Sequence, residues 1–277
     1  MKIDPQSGTM IGQVPLPTPG AVARNLIAAP DGRLWFTETN AAKVGWIDAT
    51  GAVHELPVPC SGCHPTTIAA GADGRIWFAQ SDDDAAAGVG VVAGGTVTEI
   101  PLAAALGHAV GVATAKDGSV WVAESGAKLV HLGPDGKQLS MLLMTARVPI
   151  PNAPPLSIDW IGLDGAGVPW FAGRRGLQLD VGHVNAQADG QSTTQDTAWS
   201  IRAQHMLQAT FDGHGVLWVA DTGGTSVFRI VDKVVTIYNV GLAQNESPAS
   251  PSIATAPDGT LWCADAQSDR LLHLIPH

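Results

Sequence analysis

The chain has 277 residues, 45% of them hydrophobic and only 14% charged, with 32 glycines and 19 prolines. That hydrophobicity excludes a disordered chain, and no apolar run approaches the roughly 20 residues of a membrane helix. A net charge of −10 opposes nucleic acid, whose phosphates need a basic face.

The opening residues MKIDPQSG lack the apolar stretch of a signal peptide. A cytoplasmic location is expected if Met1 is the native start, and a periplasmic one if a leader has been removed. The stretch KIDPQSGTMIGQVPLP (2–17) matches WIDATGAVHELPVP (46–59) as a strand end, a turn and a further strand. Between them begins a unit that recurs six times. Its members are IAAPDGRLWFTE (27–38), IAAGADGRIWFAQ (68–80), VATAKDGSVWVAE (112–124), IGLDGAGVPWFAG (161–173), ATFDGHGVLWVAD (209–221) and IATAPDGTLWCAD (253–265). Their tryptophans are Trp35, Trp77, Trp121, Trp170, Trp218 and Trp262, at intervals of 42 to 49 residues.

Each unit reads as four strands, A to D. In the first, LIAA is strand A, LWFTE strand B, KVGWID strand C and AVHELPVP strand D. Asp-Gly between A and B supplies the positive φ of a hairpin turn. Alternating β-branched and aromatic residues suit half-buried strands. One such sheet leaves a face uncovered, so neighbouring sheets must stack on it. The expected fold is therefore all-β: a six-bladed β-propeller of four-stranded antiparallel blades, one domain over residues 1–277. The chain stops after RLLHLIPH, a strand C, so the N-terminal strand is expected to close the last blade. The six tryptophans read as packing between blades.

The first D–A connection contains CSGCHP (60–65), holding two of the three cysteines. Three readings stay open there. Cys60, Cys63 and His64 have the spacing of covalent haem c attachment, with His108, His205 or Met206 as a second axial ligand, which would require export. The two cysteines also suit a disulfide, or a metal clip shared with His64. The third reading is a plain loop. Further along, Asp82–Asp83–Asp84 reads as a solvated loop. The long connections 145–157 and 241–250 are stiffened by proline and suited to wall a pocket. Cys263, after Trp262, reads as a small buried hydrophobe.

Antiparallel connectivity brings the start of every strand A and the end of every strand B to one face, the expected mouth for a small-molecule substrate. Thirteen residues before the tryptophans stand Val22, His64, His108, Ser157, His205 and Ala249; three residues after them stand Glu38, Gln80, Glu124, Gly173, Asp221 and Asp265. Imidazoles and carboxylates on one rim suit a metal site, with His64, His108 and His205 as ligands, or an acid–base pair. Arg24 and Asn25 precede the first strand A and would suit a carbonyl or carboxylate. Arg174 and Arg175 follow the fourth strand B. All four read as ordinary exposed residues.

The unit PDGRLWFTETNAAKVGWIDATGAVHELPVP (30–59) resembles the repeat of the streptogramin B lyase (virginiamycin B lyase) family, and the likeness recurs along nearly the whole chain. The resemblance implies a propeller that opens a cyclic depsipeptide at its ester by elimination. It further implies a site of a magnesium ion, histidines before strand A and a glutamate after strand B. That family has seven blades, where six units are counted here. At its histidine positions, two residues before the first apolar residue of strand A, this chain has Asn25, Thr66, Val110, Asp159, Leu207 and Pro251.

The leading expectation is a monomeric lyase- or hydrolase-type enzyme for an ester- or lactone-like small molecule. A divalent metal, Mg or Ca, would polarise a carbonyl. His108 and His205 would act as base or ligand, supported by Glu124 and Glu38. The alternatives are a c-type haem protein and a non-catalytic binding propeller. No nucleic-acid or membrane partner is expected.

Overall fold

The computed structural model describes residues 2–3, 10–60, 62–81, 87–102, 107–144, 154–176, 178–186, 192–202, 207–221, 226–231, 234–239, 253–256, 258–265 and 270–275. After the short strands β1 (Lys2–Ile3) and β2 (Met10–Gly12), the chain runs through successive antiparallel sheets. The first holds β3 (Ala23–Ala28), β4 (Leu34–Glu38), β5 (Lys43–Ile47) and β6 (Val53–Pro57). The second holds β7 (His64–Ala70), β8 (Ile76–Ser81), β9 (Ala87–Ala93) and β10 (Thr96–Pro101). The third contains β11 (Ala109–Thr114), β12 (Val120–Glu124), β13 (Lys128–Leu132) and β14 (Gln138–Leu143). The fourth contains β15 (Ser157–Leu163), β16 (Pro169–Arg175), β17 (Gln178–Ala186) and β18 (Ser192–Arg202). The fifth comprises β19 (Leu207–Phe211), β20 (Leu217–Asp221), β21 (Ser226–Val231) and β22 (Val234–Asn239); the sixth comprises β23 (Ile253–Thr255), β24 (Leu261–Asp265) and β25 (Arg270–Leu274). This is the six-bladed β-propeller read from the repeats. Among the described residues no helix is long and apolar enough to cross a membrane.

The sixth sheet has three described strands, and β2 pairs with β1. Closure of the last blade by the N-terminal strand is not among the described pairings. The N-terminal match to a strand end, turn and strand is present as the β1–β2 hairpin.

The chain divides into two compact units, one of Met1–Glu124 with His131–Leu139, the other of Ser125–Val130 with Ser140–His277. In the first, Trp35 and Val44 of the first sheet pack with Ile68, Ile76, Phe78 and Val92 of the second. In the other, Trp218 packs with Ile253, Leu261 and Cys263 of the sixth sheet. Sheets four and five meet through Leu179, Val181, Leu217 and Phe228. The repeated tryptophans thus serve as packing at Trp35 and Trp218. Cys263 is fully buried, and burial pushes its thiol up to about 11, so it is the small hydrophobe expected.

The A–B turns show why Asp-Gly repeats. Asp31 accepts the Arg33 N–H, Asp73 the Arg75 N–H, Asp117 the Ser119 N–H and Asp258 the Thr260 N–H. The glycine directly after each of these aspartates takes φ from +81° to +84°. The fourth and fifth turns differ: positive φ falls on the second glycine, Gly167 and Gly215. Their aspartates move to the start of the turn and reach the tryptophan as well. Asp212 accepts the backbone N–H of His214 (2.9 Å) and Val216 (3.0 Å) and the indole N–H of Trp218 (2.9 Å).

Burial opposes ionisation of Asp212, but the bonds from Trp218, Val216 and His214 outweigh it and hold its carboxyl below the usual range. Asp212→Ala strands a buried indole N–H, so a loss of about 2 kcal/mol is expected in urea unfolding. An unchanged midpoint would show that water replaces the carboxylate.

Candidate functional site

Polar side chains gather where strand B ends. In the first sheet, fully buried Glu38 closes β4 and Lys43 opens β5 opposite it. The Lys43 ammonium donates to Thr18 Oγ1 and Glu55 Oε2, each at 2.6 Å. Thr18 also donates to Glu55 through its backbone N–H (3.1 Å) and its hydroxyl (2.7 Å). Burial works against ionising Glu55, but these donors outweigh it and keep its carboxyl below the ordinary range.

Glu38 has the opposite fate. Burial first, then the charge of Glu55, push its pKa up to about 7 against the pull of Lys43. Neither Glu38 oxygen receives a hydrogen bond. The Glu55 carboxylate can only accept one, so the surroundings favour protonated Glu38. This carboxyl exchanges its proton near neutral pH. Because its folded pKa exceeds the unfolded value of 4.5, its stabilisation is full below about pH 4.5 and is lost as pH rises through about 7. Glu38→Gln keeps a neutral donor toward Glu55 and removes the titration. Urea unfolding between about pH 5 and about pH 8 should therefore lose about 2 kcal/mol less in the variant than in the parent. Parallel curves would mean that Glu38 does not titrate in that window.

The second sheet carries the CSGCHP loop. Cys60 and Cys63 form a disulfide, with Cα atoms 5.8 Å apart. The disulfide takes both thiols that thioether attachment of haem requires, so that reading is not carried further. His64 opens β7, half-buried, with Nδ1 3.2 Å from the Thr39 carbonyl oxygen. At the end of β8, buried Gln80 donates from Nε2 to Glu99 Oε1 at 2.7 Å.

In the third sheet, exposed His108 immediately precedes β11. Its neighbour Ala109 pairs with Glu124, which is fully buried at the end of β12. Sequence position thus brings an imidazole and a carboxyl to one end of this hairpin. His205, Met206, Asp82–Asp83–Asp84, and residues 145–153 and 241–250 lie outside the described residues. Among the described residues, the cluster with metal-ligand spacing is Cys60, Cys63 and Glu99; the expected histidine trio includes His205 and so lies partly outside them.

The arginines differ from expectation as well. Arg174 donates to Asp159 at 2.7 and 3.2 Å, and the charge of Asp221 also stabilises its guanidinium. Arg175 donates to Asp180, which is buried. Their side chains are 23% and 10% exposed; both are partnered because carboxylates within the same sheet draw them in. Arg24 is exposed as expected. Asn25 is half-buried, and its side-chain oxygen accepts the Ile68 N–H at 3.1 Å.

Sequence reasoning missed the β-bulges. Pairing with strand B slips at Arg24–Asn25, Thr66–Thr67, Val110 and Asp159. Bulges re-aim side chains and recur beside binding sites. These positions are the ones that hold histidine in the family resembled above. Here Thr66 donates to the Ala109 carbonyl and Thr67 to the Val110 carbonyl, both at 3.3 Å, tying the second sheet to the third. Stacking also sorts the histidines: His54 stacks on Trp46, His131 on Trp121 and His273 on Trp262, with ring centroids 4.2 to 4.8 Å apart. Those three are structural.

The profile described as the virginiamycin B lyase family matches residues 4–194. Three solved structures are similar over most of the chain. A catalytically inactive histidine-to-alanine variant of virginiamycin B lyase from Staphylococcus aureus with quinupristin is 22% identical, with a TM-score of 0.74, covering 95% of this chain and 83% of that one. A streptogramin B lyase is 18% identical, with a TM-score of 0.75, covering 95% of this chain and 86% of that one. Selenomethionine-substituted virginiamycin B lyase from Staphylococcus aureus is 17% identical, with a TM-score of 0.72, covering 93% and 85%. No curated protein matches the chain. At these identities the structural likeness carries the fold alone.

Proposed function

The chain belongs to the virginiamycin B lyase family, and from that premise we propose that it is a lyase- or hydrolase-type enzyme opening an ester- or lactone-like small molecule. The observation that carries this reading is Glu38, a buried carboxyl with a pKa of about 7 at the strand-B end of its sheet. A group that titrates near neutrality suits proton transfer. His108, exposed at the matching end of the third sheet, is the candidate base, and Glu124 the residue that orients the reacting groups. His205 is the second candidate base, by its equivalent position in the repeat.

In an elimination, the base takes the proton α to a carbonyl and β to the ester oxygen. The C–O bond then breaks, leaving an alkene and a carboxylate. In a hydrolysis, the same base activates water. The experiment incubates the full chain with a streptogramin B-type cyclic depsipeptide and weighs the ring-opened product. Elimination leaves its mass unchanged, whereas hydrolysis adds one water. A divalent ion held by His64, His108 and His205 is part of the proposal, and metal analysis of the purified protein tests it.

A second reading, a binding propeller without turnover, draws on the threonines and Asn25. At the bulges they are spent on bonds between sheets rather than supplying imidazoles. Tight binding of the depsipeptide with no product would favour it.

A further inference from the structure

The CSGC loop has no part in the function proposed above, yet its surroundings have the makings of a site. We propose that reduction of the Cys60–Cys63 disulfide by a dithiol converts this loop into a binding site for a thiophilic divalent cation such as Zn²⁺, with Glu99 as the third ligand.

The two sulfurs and a Glu99 carboxylate oxygen all lie within 4.8 Å of one another, and Cys63 Sγ is 3.7 Å from Glu99 Oε1. Zinc–sulfur bonds of about 2.3 Å and zinc–oxygen bonds of about 2.1 Å, set at tetrahedral angles, separate ligand atoms by roughly 3.5 to 3.8 Å. Glu99 already stands at that distance from Cys63, and the two sulfurs reach it by rotating apart once the bond between them is cut.

The carboxylate is also held in place. Gln80, only 6% exposed, donates from Nε2 to that same Glu99 oxygen, while its own Oε1 has no partner. A buried amide that orients a ligating carboxylate is the kind of support metal sites use. The loop backbone is anchored as well, by the Cys60 N–H bonding the Val58 carbonyl at 2.8 Å. The neighbouring histidine is turned elsewhere, with Nδ1 toward Thr39, so Glu99 rather than His64 completes the set.

The chemistry balances. The dithiol gives two electrons and two protons to the S–S bond and becomes a disulfide itself, leaving two thiols on the chain. The cation then displaces both thiol protons to water. Cys63 is buried within the apolar cluster between the first two sheets. A bare thiolate is costly there, so the metal-bound form is how this pair carries negative charge. Three protein ligands leave the fourth position to water.

The test uses the full chain, oxidised or reduced with dithiothreitol and desalted without air. Co²⁺ reports through its sulfur-to-metal absorption, and Zn²⁺ affinity is read against a chromogenic chelator. The reduced protein should take up one equivalent of ion with thiolate absorption, and the oxidised protein none at this site. Replacing both Cys60 and Cys63 with Ser should abolish uptake. Glu99→Gln should weaken Zn²⁺ by at least the roughly 10- to 100-fold that losing an outer partner costs. Circular dichroism and tryptophan fluorescence follow the fold throughout. The proposal is overturned if the reduced chain binds no ion with thiolate absorption, if Glu99→Gln binds as tightly as the parent, or if reduction unfolds the chain. In each case the disulfide is a structural staple only.

Discussion

Replacing His108 with alanine is expected to lower turnover of a cyclic depsipeptide by about 10²- to 10⁴-fold, the range of a positioned general base. Stability should change by no more than about 0.5 kcal/mol, because the residue is exposed and lies outside the packed clusters. The two readouts separate a chemical role from a structural one. His205→Ala provides the parallel case from the equivalent repeat position. Full activity in both variants removes the histidines from the mechanism and leaves the carboxyls. Glu38→Gln then becomes the deciding substitution, since it abolishes the group that titrates near neutrality while keeping a neutral donor beside Glu55.

Gly90→Val is expected to destabilise the fold by about 3 kcal/mol, at the upper end for overpacking, lowering the melting temperature by roughly 6 to 12 °C. Gly90 pairs across the sheet with Phe78, whose ring lies over it. A Cβ at Gly90 would stand 1.9 Å from Phe78 Cζ and 2.4 Å from Cε2. The ring cannot swing away, because Phe78 is fully buried among Ile68, Ile76 and Val92. The same device appears in the first sheet, where Phe36 pairs with Gly45. There, a Cβ would also meet the His54 carbonyl at 2.8 Å. Gly165→Ala is the control: an added Cβ meets nothing within 4 Å, so a change within about 0.5 kcal/mol is expected. Equal melting temperatures for Gly90→Val and Gly165→Ala would mean that the ring repacks freely.

Repetition made the fold legible before any coordinates. Strand alternation, Asp-Gly turns and recurrent tryptophans are local signals, set by side-chain period and backbone dihedral preference. They fixed six sheets, strand direction, and the end at which Glu38, His64, His108 and Glu124 would lie. The turns tolerated variation that the sequence alone concealed: Asp164 and Asp212 occupy a different turn position from Asp31, and the second glycine takes the positive φ. Both arrangements are spelled Asp-Gly.

Through-space neighbours decided the rest. The rise of the Glu38 pKa to about 7 comes first from burial and then from Glu55, seventeen residues away. Identical imidazoles became stacking partners at His54, His131 and His273 because a tryptophan lies beside each. The proximity of Cys63 to Glu99, thirty-six residues further on, came only with the fold. The amino-acid sequence by itself determined the architecture, since each hairpin is specified within a dozen residues. Charge state, bonding and bulge position came only with the tertiary structure, because each depends on desolvation and on partners that folding alone brings within a few ångströms.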